Sequence, residues 1–282
     1  MIHVKPSCVT PRAASLSPWQ AAATLALGAA LFALEALAPA AALYAALALF
    51  LFGIPHGAVE RHLTRNGLER RLPSPGYTAL YLCAALLFLW GWRAAPMPML
   101  ALFLLMSALH FGASEPRLAF AGLWVVFGSL ALWTAPTLGI FSSLAATDLT
   151  ALAPVARIAG LLAGLALAVQ AVLRRDVAYG ALLLGMFGLL GPVSAVALYY
   201  FAVHSLREWR DVHALQGGVR SMLALYAPFS LPVFIGGAAI VIAVQRGALD
   251  LSLAAGFGMA IAIPHMAPFE RWLFAPGKTA TP

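Results

Sequence analysis

Four of the seven histidines sit in short motifs of one shape: "GIPHGAVE" around His56, "SALHFGASE" around His110, "YFAVHSLRE" around His204 and "AIPHMAPFE" around His265. Each lies in an apolar stretch and is followed by a glutamate: Glu60 after four residues, Glu115 after five, Glu208 after four, Glu270 after five. Four of the ten acidic residues therefore stand beside these four histidines. Ionisable groups are expensive in hydrocarbon and mark function there. Neutral imidazole is the commonest ligand for zinc, iron, copper and nickel at biological pH. A carboxylate one turn away either ligates too or holds an imidazole N–H in place, and Glu208 shares a helix face with His204. His56, His110, His204, Glu208 and His265 are thus the candidate metal ligands, with Glu60 and Glu115 as carboxylates behind them. Each alone has a plainer reading. A single intramembrane histidine bonds a neighbouring helix, and Glu60, Glu115 or Glu270 pairs with the nearby Arg61, Arg117 or Arg271. Four such places at a common depth favour a shared metal. His3, His62 and His213 fall in the N-terminal tail and in basic connections, where a solvated side chain is expected.

The elements that must position these residues are membrane helices. The chain is 62% hydrophobic and only 10% charged, against about 25% charged residues in soluble domains. Its apolar runs are long enough to cross a bilayer. The expected fold is all-α, a polytopic transmembrane bundle of about ten spans with both termini cytoplasmic. The spans lie near Trp19–Ala38, Ala41–Val59, Tyr77–Ala95, Met97–Ala113, Leu118–Phe141, Val155–Leu173, Ala178–Leu190, Ser194–Trp209, Met222–Val244 and Leu251–Phe274. A tail of residues 1–18 precedes this single domain of residues 19–274, and residues 275–282 follow it. A cleaved signal is the other reading of the first span, but its apolar stretch is long for one and Pro39 sits badly for cleavage. Of the seventeen basic residues, only Arg93, Arg157 and Arg246 fall in odd-numbered connections. The others, Arg207 and Arg210 among them, fall in the tails and even-numbered connections, which the positive-inside rule assigns to the cytoplasm. The net charge of +7 is therefore a topology signal, and a nucleic-acid partner is not expected. The two cysteines, Cys8 and Cys83, support neither a disulfide framework nor a CxxC site.

In this order across a polytopic chain, "PHGAVE", "HFGASE", "YYFAVHSLRE" and "PHMAPFERW" resemble the Brp/Blh family of β-carotene 15,15'-dioxygenases. The resemblance runs from His56 to Trp272. It implies a non-haem Fe(II) enzyme of the cell inner membrane that splits β-carotene with O2 into two retinals, with a retinal-binding rhodopsin as downstream user. The family's iron histidines in PHG and HFG fall on His56 and His110. The first histidine of its HSxRH motif falls on His204, and the second is replaced here by Glu208. The aspartates that commonly follow its first two motifs are Glu60 and Glu115 here. Two ligand sets follow: Glu208 completes the site, or His265 does and Glu208 orients it. Phe52, Phe111, Tyr199, Tyr200, Phe201, Trp209 and Trp272 are candidates to line a polyene slot.

Three other classes compete. A di-iron hydroxylase needs clustered histidine boxes, and the chain has no HxxHH. A b-haem carrier would use paired histidines on facing helices as axial ligands. A transporter would use the same histidines and glutamates as a proton relay and hold no metal.

Overall fold

The computed structural model describes residues 16–54, 74–115, 117–207, 209–210 and 219–266, and every regular element among them is helical. In chain order these are α1 (Pro18–Leu37), α2 (Pro39–Gly53), α3 (Ser74–Ala94), α4 (Pro96–Ser114), α5 (Ala121–Phe127) and α6 (Ser129–Leu132), then α7 (Thr134–Ala145), α8 (Ala153–Leu173), α9 (Val177–Leu189), α10 (Pro192–Leu198), α11 (Val219–Gln245) and α12 (Leu251–Met266). After α10 the chain winds on as a π-helical segment, Tyr199–Ser205.

Proline opens several helices: Pro18, Pro39, Pro96, Pro154 and Pro192 all stand in a first turn, where the missing N–H has no partner to lose. Ser17 and Gln20 add a reciprocal capping box at the start of α1. Three helices are long and apolar enough to cross a membrane, Pro18–Leu37, Pro96–Ser114 and Thr150–Leu173, and five more are shorter but apolar. The outer surface suits lipid. On α8, Leu161, Leu162, Leu165, Val169 and Val172 are all exposed, an apolar face that a soluble monomer rarely tolerates.

One expected span is not continuous. Leu118–Phe141 divides into α5, α6 and α7, interrupted at Gly128 and Trp133. Pro136 explains the second break, because it has no N–H to offer the Leu132 carbonyl. Threonine hydroxyls serve carbonyls around the break: Thr134 Oγ1 donates to Leu130 O at 2.6 Å, and Thr137 Oγ1 to Trp133 O at 2.7 Å. In an apolar surround such substitutes are what make a broken helix tolerable.

Among the described residues two buried clusters hold the site's helices, beside a smaller one of Leu130, Leu138 and Leu149. One gathers Trp124, Leu167, Leu183, Phe187 and Tyr199 from α5, α8, α9 and the π segment. The other gathers Phe88, Trp92, Leu100 and Met259 from α3, α4 and α12. Helix α4 belongs to both, with Phe111 in the first and Leu100 in the second. It is fixed against α5 by backbone contact. A Cβ on Gly122 would stand 2.0 Å from the Ala108 carbonyl oxygen and 2.4 Å from the Gly112 nitrogen. Only glycine permits that approach.

Gly122→Ala should therefore separate α4 from α5 and destabilise the fold by about 1–3 kcal/mol, the usual cost of overpacking. Gly139, with nothing near its added Cβ, is the control. Thermal unfolding in detergent should drop for Gly122→Ala and not for Gly139→Ala.

Candidate functional site

The site forms where the ends of several helices meet. His110 stands one turn before the end of α4, and His204 is the sixth residue of the π segment. Their Nε2 atoms are 3.3 Å apart and both side chains are buried. The π winding is explicit in the backbone: Leu206 N–H reaches Phe201 O, five residues back, where an α-helix would use the fourth. Ser205 Oγ donates to the Tyr200 carbonyl at 2.7 Å and lies 3.3 Å from the Gly53 carbonyl at the end of α2. Gly53 leaves room for the Tyr200 ring, which a Cβ there would meet at 2.6 Å. The end of α2, three residues before His56, is thus seated on the segment that carries His204.

The fourth motif arrives from α12. Pro264 interrupts its hydrogen-bond ladder, and Tyr81 on α3 donates its hydroxyl to the nearby Ile261 carbonyl at 2.5 Å. Met266, next to His265, accepts from Ser107 Oγ at 3.3 Å. Ser107 is one turn before His110 on α4.

Aromatic rings wall the two imidazoles. Phe111 meets His204 edge to face at 5.3 Å and Tyr199 likewise at 5.3 Å. Tyr200 stacks on His204 at 6.0 Å. Of the other proposed slot aromatics, Phe201 pairs with Trp209. Phe52 is half exposed and meets Phe234 on α11. Trp272 lies outside the described residues.

Behind this wall stands Glu115, 1% exposed. Its Oε1 accepts from Tyr179 at 2.9 Å and Tyr199 at 3.1 Å, and lies 2.9 Å from Arg207 Nη1. Arg207 also donates from Nη1 to the Ser114 carbonyl and from Nη2 to the Tyr179 hydroxyl, each at 3.0 Å. So the glutamate pairs with Arg207, 92 positions on, and not with its neighbour Arg117. Arg207 itself, read in the sequence as part of a basic cytoplasmic connection, is 3% exposed. A guanidinium and a carboxylate sequestered together need each other more than they need water.

His110, His204 and Glu115 are therefore gathered in one place. His56, Glu60 and Glu208 lie outside the described residues, as does the side chain of His265. Among the described residues no third histidine, cysteine or carboxylate joins the pair as a ligand group. The contact is a hydrogen bond when one Nε2 carries the proton, and its length could also be that of two nitrogens on one metal ion. With metal–nitrogen bonds of about 2.1 Å, two nitrogens stand about 3.0 Å apart at a right angle and about 3.4 Å at the tetrahedral angle. The observed 3.3 Å falls between. A haem iron would need its axial imidazoles on opposite ring faces, about 4 Å apart with a macrocycle between them. Here the two Nε2 atoms are 3.3 Å apart, closer than a macrocycle between them would allow, and Phe111 lies against both rings.

Sequence reasoning did not find Arg207 or Tyr179 as partners of Glu115 in the cluster behind the histidines. Arg207 carried a signal, since it stands three residues after His204. Tyr179 carried none.

Removing one charge of the buried pair should be costly. Arg207→Met strands the Glu115 carboxylate and should cost about 3–5 kcal/mol. The double variant Glu115→Gln/Arg207→Met strands no charge and should cost less than the two single changes together. Chemical unfolding in detergent micelles checks the cycle, and strict additivity would dissolve the pair.

The comparison with known proteins bears on residues 47–272, which match the model of the family described as β-carotene 15,15'-dioxygenase. No curated protein and no solved structure matches the chain. The matched stretch covers most of the 282 residues and contains all four histidine motifs. By that match, the chain belongs to the β-carotene 15,15'-dioxygenase family.

Proposed function

We propose that this protein is a multi-pass inner-membrane dioxygenase that cleaves β-carotene at the central 15,15' double bond. The double bond breaks, each new carbonyl takes one atom of O2, and two retinals leave. The observation that carries the reading is the shielded 3.3 Å approach of His110 and His204 in a chain of this family. His56 is the third ligand of a non-haem Fe(II), and Glu208 or His265 the fourth. Glu60 stands behind His56. The bundle crosses the bilayer ten times with both termini in the cytoplasm, so the four motifs share one depth in the cytoplasmic half.

Bound Fe(II) supplies the oxygen chemistry that side chains lack. The chain supplies the rest. His110 and His204 bring their Nε2 atoms to 3.3 Å, and with neither nitrogen protonated both lone pairs are available to one ion set off the line between them. Phe111, Tyr199 and Tyr200 keep water from the imidazoles, and a flat polyene would lie against the outer side of this aromatic wall. A carotene is effectively insoluble in water, so the bilayer is its reservoir and the outer apolar surface its approach. The register of the polyene against the ring wall selects the bond.

Expression in a β-carotene-accumulating bacterium tests the activity. The cells should lose their orange colour and yield retinal. His110→Ala and His204→Ala should each abolish retinal and empty the purified protein of iron, while His3→Ala, His62→Ala and His213→Ala should change neither. Colour that persists beside an iron-free wild-type protein would sink the proposal and return the site to a relay of the transporter kind.

Iron content also assigns the fourth ligand. If Glu208 ligates, Glu208→Ala should lose most of the metal and Glu208→His should keep it. If His265 ligates, His265→Ala is the variant that empties the site. Full occupancy in both alanine variants leaves three histidines completed by water.

A further inference from the structure

Glu115 reaches both flanks of the π segment at once. Tyr199, the first π residue, and Arg207, two residues past the last, both bond its Oε1. Arg207 also holds the Ser114 carbonyl at the end of α4. The two attachment points bracket His204. Winding matters here because each residue of an α-helix turns the chain by about 100°. If the segment relaxed from π to α register, the residues after the change would rotate by that amount, and one side of the His110–His204 pair would leave the other. A π turn is rare and, left alone, gives way to α winding, so something outside the backbone must hold it.

We infer that Glu115, Arg207 and Tyr199 form a clamp that selects the π register and thereby aims His204 at His110. They are positioning residues for the metal pair. None of them touches either imidazole by a hydrogen bond; they act through winding and through Phe111, which the Tyr199 ring packs against. The inference rests on the metal-site reading proposed above. Tyr179 separates a clamp from mere stabilisation. Its hydroxyl donates to the same Oε1, accepts from Arg207 Nη2 and is also buried, but it comes from α9 and bonds no residue of the π segment itself.

The test uses the full chain in detergent, stripped of metal and titrated with Cu(II), which favours imidazole sites. Electron paramagnetic resonance reads the nitrogen-coordinated signal that His204→Ala removes. Tyr199→Phe should weaken Cu(II) binding by about 10- to 100-fold, the usual effect of losing a group that orients a ligand. Tyr179→Phe should lower thermal stability by a similar amount yet leave Cu(II) affinity at the wild-type value. Should Tyr199→Phe not fold, Glu115→Gln, which keeps an acceptor oxygen but no charge, is read in its place and should weaken binding likewise. Equal Cu(II) affinity in the two tyrosine variants, or wild-type affinity in a folded Glu115→Gln, overturns the clamp while the metal site stands. A wild-type protein without the His204-dependent signal overturns the metal site and the clamp with it.

Discussion

The contact between Arg207 and Glu115 is the interaction on which the polar centre of this bundle depends. Both side chains are almost fully shielded, and neither could stay there alone, because an uncompensated charge in an apolar interior costs several kcal/mol. Their mutual need draws together parts of the chain that are far apart in sequence. Glu115 ends α4, Arg207 follows the π segment, and Tyr179 lies on α9. Both terminal nitrogens of the guanidinium are engaged: one serves a carboxylate and a helix-end carbonyl, the other a phenol, while the buried Nε has no partner among the described residues. Lysine, a point charge on a flexible stem, could not span those acceptors.

Backbone contact does the complementary work. The absent Cβ atoms of Gly122 and Gly53 let α5 close on α4 and the Tyr200 ring close on the end of α2. In lipid, helices are not driven together by water, so small residues that permit close approach set the geometry. The site is thus held by two unlike means: tight, directionless packing fixes where the helices lie, and one charged cluster fixes how the π segment is wound.

The sequence makes the helices legible because hydropathy alone marks an apolar run, and the described helices fall where those runs are. The continuity of Leu118–Phe141 was not legible, since Gly128 and Pro136 are common inside membrane helices and only their surroundings decide whether they break them. His110 and His204 stood out because ionisable residues are rare in such a background. The role of Glu115 was half legible. Its position beside a histidine motif was plain, but its partner was hidden, because Arg207 belongs equally well to a count of basic cytoplasmic residues. Tyr179 was invisible: nothing in "VAYGALLL" says that a phenol meets a carboxylate 64 positions earlier. The π winding was also invisible, as it depends on what lies on either side of the segment and not on its own composition.

The placing of the histidines at helix ends has an electrostatic sense. The end of α4 lies beside the π segment through the bond of Arg207 to Ser114, and the end of α2 through the approach of Ser205 to Gly53. Helix C-termini carry about half a negative charge each and favour cations nearby. Arg207 already exploits this, bonding the last carbonyl of α4. A divalent ion between His110 and His204 would lie in the same field, so neutral imidazoles suffice to hold it without many carboxylates. Under the proposed metal reading, a chain with only ten acidic residues can thus commit Glu115 to an arginine. On that reading, the negative field that would attract an ion comes from the backbone, and the carboxylate is left to hold the winding of the π segment.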